Sequence, residues 1–362
     1  MIIKIDDSEE FYGRIVDALK KGAIIALPTD TVYGLAVDAT YVSAKERLNS
    51  LKKRDNKPYT FFISKKNIPD YAIITKRKLI DYFLPGPITF ILKRNPAAPI
   101  DAAEKKIGIR IPDVHFIIKL LNCYDNPLIV TSANLSAQPP FTTPQEIADN
   151  FKEIKLIIDG GILKGAPSTI LDLTTTPPTI LRKGRVPILE IEKVYGRRII
   201  IGDSLKFNLL FVCTGNTCRS PMAMGIIKTM VPEDYLDVQT AGTAAIDGLP
   251  ASPNALIVVK EFGGSIDNHR SRPINKELID WADLILVMEY RHYETVLEIS
   301  ADSVAKTFLL KEYKRRTKYN EVPDPVGRDL AFYRDCALDM YSSLKFLAMD
   351  IKKRFTKLKN NP

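Results

Sequence analysis

The second half of the sequence alternates between short apolar runs and helical patterns, and this alternation restricts the fold more than any other feature. The runs FNLLFVC, DVQTAG, LILVM and KTFLL are predicted as strands, and the segments between them as helices. The last helix is predicted over about 328–357. Strands that are separated by helices pair in parallel through right-handed crossovers. This half is therefore predicted to be a doubly wound, four-stranded parallel α/β sheet that is flanked by helices.

The first half shows a different pattern, with many short strand-like runs, many turns and few helices. One helix is predicted in SEEFYGRIVDALKKG, because its apolar residues share one face and Gly22 can end it. This pattern favours a mixed α/β sheet. Residues 191–205 carry charge and little periodicity, so we interpret them as a linker between a domain at 1–190 and a domain at 206–362.

Composition restricts the class of protein. A chain of 362 residues with 45% apolar and 26% charged residues is typical of a soluble protein with two domains. It has no apolar run of the roughly 20 residues that cross a bilayer, and its acidic N-terminus is unlike a secretory signal. Four cysteines suggest reduced thiols in a cytoplasm rather than a disulfide framework. The net charge of +9 lies mainly in the first half and suits phosphate-bearing ligands or a solvated surface.

The loop CTGNTCRS follows the first predicted strand of the second half and precedes a helix. Ligands of open parallel sheets bind at such a position, where loop amides and the helix dipole can hold an oxyanion. Arg219 offers a planar fork to two phosphate oxygens, and this positive environment should lower the pKa of the Cys213 thiol. Asp324, held between two prolines, is the candidate general acid. The loop is therefore predicted to carry a nucleophilic thiolate beside a phosphate site.

With VCTGNTCRSPMA and a late Asp-Pro, the sequence from about 207 to 357 resembles the low-molecular-weight protein tyrosine phosphatase family. The resemblance implies that Cys213 forms a phosphocysteine, that Arg219 and the loop amides bind phosphate, and that no cofactor is needed. It also implies that Asp324 acts as general acid and then as general base. The implied phosphate loop is completed by Thr214, Gly215, Asn216, Thr217, Cys218 and Ser220.

Two positions depart from the tyrosine-specific members of that family. Thr217 replaces a bulky aliphatic residue, as in the bacterial protein-arginine phosphatases, and Val326 replaces an aromatic residue. We therefore expect a phosphorylated protein side chain as substrate, with phosphoarginine preferred to phosphotyrosine. Arsenate reductase activity is an alternative, but it needs a further cysteine pair and only Cys336 lies beyond the loop. A protective disulfide between Cys213 and Cys218 is also possible in this sequence.

Six motifs follow one another in the first half, namely ALPTDTVYGLAVDA, SLKKRDNKP, GIRIPD, IVTSANLSAQPP, APSTILDL and ILRKGRV. Their hydroxyl groups can bind a small polar ligand, and their cations can neutralise phosphates. Arg110 lies within an apolar strand, where a charge is costly unless it is paired. The motifs predict a site for a polar ligand that bears phosphate.

This order of motifs resembles the YrdC/Sua5 family of threonylcarbamoyl-AMP synthases from about 22 to 186. The resemblance implies a YrdC-like mixed sheet with a concave ligand site. It also implies that L-threonine, bicarbonate and ATP, the last with Mg²⁺, yield threonylcarbamoyl-adenylate and pyrophosphate. This reaction is the first stage of N6-threonylcarbamoyladenosine synthesis in tRNA. No protein-bound metal is predicted. The resemblance assigns ATP to Lys52, Arg54, Ser132, Asn134 and Arg182, and threonine to Thr29, Arg110 and Thr169.

The main hypothesis is therefore a fusion of two enzymes. Its partners would be the substrates, the machinery that transfers the threonylcarbamoyl group, and at most a weak contact with tRNA, but no membrane. An RNA-binding module in the first half is the alternative from another class, because that half is basic. It lacks the interleaved aromatic residues of stacking surfaces, and tight tRNA binding without turnover would favour this alternative.

Overall fold

The computed structural model describes residues 1–52, 59–100, 105–135, 138–314 and 320–355. The chain divides into two compact units. Met1–Val186 and Val194–Gly196 form the first, and Pro187–Lys193 and Arg197–Pro362 form the second. None of the described helices has both the length and the hydropathy of a membrane-spanning segment.

The first unit is built on a mixed sheet. Its strands are β1 (Ile2–Lys4), β2 (Ile25–Leu27), β3 (Gly34–Asp38), β4 (Thr60–Phe62), β5 (Ala72–Ile73), β6 (Ile88–Arg94), β7 (Lys106–Arg110), β8 (Leu128–Ser132), β9 (Leu156–Asp159), β10 (Thr169–Asp172) and β11 (Thr179–Arg182). They lie in the order β1-β9-β2-β3-β8-β4-β7-β6-β10-β11, and β5 pairs with β6. Parallel pairs such as β4 with β7 occur in the same sheet as antiparallel pairs such as β3 with β8, so the predicted mixed sheet is confirmed.

Helices of the first unit cover this sheet. They are α1 (Glu9–Lys20), α2 (Val42–Lys52), α3 (Ile68–Tyr71), α4 (Arg77–Phe83), α5 (His115–Cys123) and α6 (Pro144–Asn150). Helix α1 confirms its prediction, because Ser8 caps its first turn by accepting from the Phe11 N–H and Gly22 follows it at a φ of +68°. Strands β2 and β3 are buried along their whole length, which explains their continuous apolar runs.

The second unit contains the predicted parallel sheet. Its strands β13 (Phe207–Cys213), β14 (Leu236–Gly242), β15 (Leu284–Val287) and β16 (Thr307–Leu309) follow α7 (Ile188–Tyr195) and the short β12 (Ile200–Ile201). The order is β14-β13-β15-β16 and every pair is parallel, which confirms the prediction. Its other helices are α8 (Arg219–Lys228), α9 (Pro253–Glu261), α10 (Lys276–Trp281), α11 (Tyr290–Ile299), α12 (Leu310–Lys314) and α13 (Leu330–Lys352).

The segment 191–205, interpreted from the sequence as a linker, contains ordered secondary structure. It includes the second half of α7 and strand β12, and Glu192 is buried. The Glu192 carboxylate accepts hydrogen bonds from Arg198 and from Arg354, which lies 162 residues further along the chain. Two of the charges in this segment, Glu192 and Arg198, therefore belong to an ion network whose distant partner no local pattern reveals.

Candidate active sites

The first candidate site is the loop between β13 and α8. Strand β13 ends at Cys213 and α8 begins at Arg219, so the loop joins the carboxyl end of a parallel strand to a helix N-terminus. Strand β13 lies between β14 and β15, where the strand order changes direction. Such a switch point opens a crevice in doubly wound sheets. Gly242 at the end of β14 permits this packing, since a Cβ there would lie 2.4 Å from the Thr214 carbonyl oxygen.

The loop is held in shape by Asn216, which adopts a φ of +55°. Its buried side chain donates to Ser220 Oγ at 2.9 Å and accepts from the Arg272 backbone N–H at 3.0 Å. The Asn216 carbonyl oxygen lies 2.6 Å from His269 Nε2. A left-handed backbone conformation is strained for most residues. The contacts of the Asn216 side chain and of its carbonyl oxygen hold the residue in this conformation.

The Cys213 thiol is 2% exposed and its Sγ lies 3.0 Å from Ser220 Oγ. Burial raises the pKa of this thiol, although the hydrogen bonds from Ser220 and the charge of Arg219 act in the opposite direction. The lowered pKa that we expected from the sequence is therefore wrong for this structure. The physical reason is burial, because the sulfur is removed from water and the lost hydration of the thiolate outweighs the hydrogen bonds from Ser220 and the charge of Arg219.

Arg219 connects the predicted residues of this site. Its side chain is 1% exposed, and it donates to Asp324 Oδ2 at 2.5 Å, to Glu289 and to the Val322 carbonyl oxygen at 3.0 Å. It also lies 3.3 Å from Thr214 Oγ1. Cys213, Arg219 and Asp324, which are far apart in sequence, thus meet at one end of the sheet.

The remaining loop residues occupy the entry to α8. Cys218 is buried, and its Sγ lies 3.2 Å from the hydroxyl of Tyr333, whose pKa burial raises to about 12. Thr217 is half-buried, with Oγ1 at 3.6 Å from Cys218 Sγ, and Gly215 faces open space except for that same hydroxyl. All four cysteines are free thiols.

The second candidate site is a cavity of about 550 Å³ in the first unit. Six of the eight predicted ligand-binding residues line it, namely Thr29, Lys52, Arg110, Ser132, Asn134 and Arg182. They come from the ends of β2, α2, β7, β8 and β11, which explains why they are dispersed in the sequence. Arg54 lies outside the described residues.

Lys52 fixes one wall of this cavity. Its buried ammonium group donates to the carbonyl oxygens of Ser132 at 2.7 Å and Asn134 at 2.6 Å, and to Asn134 Oδ1 at 2.5 Å. Three acceptors match the three hydrogens of an ammonium group. Lys52 therefore brings a positive charge to the cavity while it orders the segment after β8.

Arg110 brings a second positive charge to the cavity. It is 6% exposed and donates to the carboxylate of Asp30 and to Thr31 Oγ1 at 2.8 Å. Its Nε has no hydrogen-bond partner among the described residues. A buried guanidinium nitrogen without a partner is costly, so this edge of the cavity suits an anionic ligand. Thr29 lies nearby, and its hydroxyl closes the turn by donating to the Val32 carbonyl oxygen at 2.7 Å.

Thr169 does not line the cavity, contrary to the prediction. Its fully buried hydroxyl donates to the Val186 carbonyl oxygen and accepts from the Val186 N–H, both at 3.0 Å. Neighbouring side chains of a strand point to opposite faces, so Ser168 and Ile170 face the cavity instead. Arg182 donates through Nε to the Ser168 carbonyl oxygen at 3.0 Å and through its guanidinium to Ser168 Oγ at 2.9 Å.

Sequence reasoning missed several residues of both sites. Asp30, Ser168, Glu289 and His292 make contacts with predicted residues, yet none was singled out. Glu289 follows the carboxyl end of β15, a position that could have identified it because loops of a parallel sheet meet there. Within the described ranges, no group of three His, Cys, Asp or Glu residues is arranged to hold a metal ion.

Comparisons with known proteins agree with this division. A family model named Sua5/YciO/YrdC and described as telomere recombination matches residues 17–184, and a low molecular weight phosphotyrosine protein phosphatase model matches residues 208–357. A Methanocaldococcus jannaschii protein, provisionally named a threonylcarbamoyl-AMP synthase, is 37% identical over 203 residues, which are 53% of this chain and 97% of that protein. A Geobacillus stearothermophilus protein-arginine-phosphatase is 39% identical over 131 residues, covering 36% of this chain and 86% of that protein.

A solved structure of Sua5 from P. abyssi, complexed with L-threonine, is similar in fold, with a TM-score of 0.52 and 22% identity. The match covers 95% of this chain and 98% of that one. Both matching families consist of enzymes, and the prediction of a fusion of two enzyme domains is confirmed at the level of family. The chain thus belongs to the Sua5/YciO/YrdC family through its first half and to the low-molecular-weight phosphatase family through its second.

Proposed function

We propose that residues 1–190 synthesise L-threonylcarbamoyladenylate from L-threonine, bicarbonate and ATP, and that residues 206–362 are a cysteine-dependent protein phosphatase. For the first activity, the observation that carries most weight is the unpartnered Nε of Arg110 at a cavity that also holds Lys52 and Arg182. The amino acid carboxylate would bind Arg110, and the nucleotide phosphates would bind the other cations. The threonine-bound structure of the P. abyssi relative supports L-threonine as the substrate.

Among the described residues that line this cavity, none carries a carboxylate. Mg²⁺ prefers oxygen ligands and commonly binds through substrate phosphates, so it would enter with ATP rather than on protein side chains. The described part of the lining also offers no obvious nucleophile or general base. Catalysis would therefore depend on positioning the carbamate and the α-phosphate and on neutralising the charge that develops.

Replacement of Arg110 by methionine is expected to raise the KM for threonine by about tenfold to a hundredfold, because a charged hydrogen bond to the carboxylate is lost. The measurement is pyrophosphate release that depends on threonine and bicarbonate in the absence of RNA, with detection of the adenylate by mass. Arg14→Met, which changes an exposed arginine of α1, is the matched control. An unchanged KM in folded Arg110→Met would contradict the assignment. If that variant fails to fold, Arg110→Lys tests the same loss while it keeps the charge.

The same assay tests the alternative of an RNA-binding module. Tight, salt-sensitive tRNA binding without any pyrophosphate release would contradict the synthase proposal. Transfer of the threonylcarbamoyl group to tRNA would need further protein partners, and we propose at most a weak contact with tRNA. The four free thiols support a reducing compartment, and we propose the cytoplasm.

For the phosphatase, the observation that carries most weight is the contact between Arg219 and both Asp324 and the loop that begins at Cys213. The Cys213 thiolate would attack phosphorus, while Asp324 gives its proton to the leaving group. A water molecule activated by Asp324 would then hydrolyse the phosphocysteine. An incoming phosphoryl group would compete with Glu289 and Asp324 for the Arg219 guanidinium.

We propose phosphoarginine as the preferred substrate, supported by Thr217 and by the 39% identical protein-arginine-phosphatase. Thr217→Ile is expected to shift the ratio of kcat/KM toward phosphotyrosine by about tenfold, because an apolar side chain suits an aromatic ring better than a guanidinium group. The measurement compares both substrates with wild type and variant. Thr295→Val, a surface change on α11, is the control. An unchanged ratio would show that Thr217 does not select the substrate.

A further inference from the structure

The hydroxyl of Thr214 contacts three polar side chains, and two of them lie outside the phosphate loop. Its Oγ1 lies 2.9 Å from His292 Nε2, 3.1 Å from a guanidinium nitrogen of Arg291 and 3.3 Å from one of Arg219. Both arginines can only donate. The direction of the third contact depends on which nitrogen of His292 carries the hydrogen.

The backbone settles that question. The N–H of Glu289 donates to His292 Nδ1 at 3.1 Å, in the capping box at the start of α11. Because Nδ1 is an acceptor, the hydrogen of a neutral ring must lie on Nε2. His292 is fully buried, and burial lowers its pKa to about 4, so the ring is neutral near pH 7. His292 therefore donates to Thr214.

Thr214 Oγ1 thus has three donors within hydrogen-bond distance and, among the described residues, no acceptor for its own hydrogen. That hydrogen must point away from the three donors. The nearby guanidinium nitrogen of Arg219 is the one that lies 2.5 Å from Asp324 Oδ2. The hydroxyl therefore contacts the phosphate-binding cation at the nitrogen that also binds the candidate general acid.

We propose that the Thr214 hydroxyl donates a hydrogen bond to the phosphoryl group of the substrate, and that His292 is the positioning residue that turns it there. The inference rests on the proposed phosphatase function. A neutral, buried histidine is a suitable positioning group because its tautomer is fixed by a backbone N–H and does not change near neutral pH. The ligand class is a tetrahedral oxyanion, whatever side chain carries it.

The test combines Thr214→Val, which keeps the shape and removes the hydroxyl, with His292→Met and His292→Gln. Thr214→Val and His292→Met are each expected to weaken the binding of inorganic phosphate by about tenfold, the loss of one charge-assisted hydrogen bond, and to lower kcat/KM for phosphoarginine at least as much. His292→Gln keeps a donor near the position of Nε2 and is expected to retain phosphate binding within about threefold. The double variant Thr214→Val/His292→Met is expected to be no weaker than Thr214→Val alone.

Phosphate affinity measured by calorimetry separates this inference from the proposed function. If wild-type protein binds phosphate but hydrolyses no phosphorylated substrate, the phosphatase proposal fails while the hydroxyl contact is still measured. Unchanged phosphate affinity in Thr214→Val overturns the inference. Additive losses in the double variant, or a loss in His292→Gln as large as in His292→Met, overturn the role of His292. If His292→Met does not fold, Thr214→Val and His292→Gln decide, with Thr295→Val on the same helix as control.

Discussion

Cys213→Ser is expected to lower the phosphatase kcat/KM by at least about 10⁴-fold while threonine-dependent pyrophosphate release stays at the wild-type level. A serine hydroxyl is hardly ionised near neutral pH. Asp324, which accepts from Arg219, is proposed to protonate the leaving group and therefore does not act as a base for the serine. Ser220 Oγ, 3.0 Å from the sulfur, can stabilise a thiolate but cannot remove a proton from serine efficiently. The measurement is hydrolysis of phosphoarginine alongside synthesis of the adenylate by the same preparation.

Cys123→Ser provides the matched control, because it makes the same atomic change at an exposed cysteine of α5. We expect it to leave both activities unchanged. Phosphatase activity that survives in Cys213→Ser would show that another group is the nucleophile. A parallel loss of adenylate synthesis would show that the two halves are not independent enzymes. The reductase alternative would be favoured if the protein reduced arsenate in a reaction that requires both Cys213 and Cys336 and if it hydrolysed no phosphorylated substrate.

The sequence predicted the elements of both units because their signals are local. Alternating strands and helices required a parallel sheet, and the apolar run that ends at Cys213 placed the thiol at its carboxyl end. Six dispersed residues that the order of motifs singled out in the first half line one cavity, while their ligands stay a prediction. The spacing between residues such as Thr29 and Arg182 does not by itself bring them together.

The sequence did not predict which groups pair with the charges of the sites or how the side chains are oriented, because both depend on contacts between distant segments. The carboxylates that hold Arg219 come from two other loops. The burial that raises the pKa of the Cys213 thiol likewise depends on how distant segments pack around the sulfur. Thr169 was chosen for its hydroxyl, but the pleat of β10 turns it away from the cavity. His292 lies in a segment predicted only as a helix, and its tautomer becomes evident from the backbone N–H of Glu289 that donates to Nδ1.

The charged network of the segment 191–205 has a measurable consequence for stability. Arg354 is fully buried, donates to both oxygens of Glu192 and to Asp350 Oδ2 at 2.9 Å, and lies over the ring of Phe207 at 4.8 Å. Burial lowers the pKa of Arg354, but the charge of Glu192 and the other partners outweigh this, so its pKa is raised and it stays charged. Removing one member of a buried ion group leaves the others with an uncompensated charge.

Arg354→Met is therefore expected to lower the free energy of unfolding of the second unit by about 3 kcal/mol, since Arg198 still pairs with Glu192 and limits the loss. The single tryptophan, Trp281 in α10, lets denaturant unfolding of this unit be followed by fluorescence in the full chain. Lys276→Met removes the exposed pair with Asp280 and should cost less than about 1 kcal/mol. The double variant Glu192→Gln/Arg354→Met should lose less free energy of unfolding than the sum of the two single variants. The reason is that either single change already breaks the same buried ion pair. A loss no larger than that of Lys276→Met would show that the buried ion network does not stabilise the second unit.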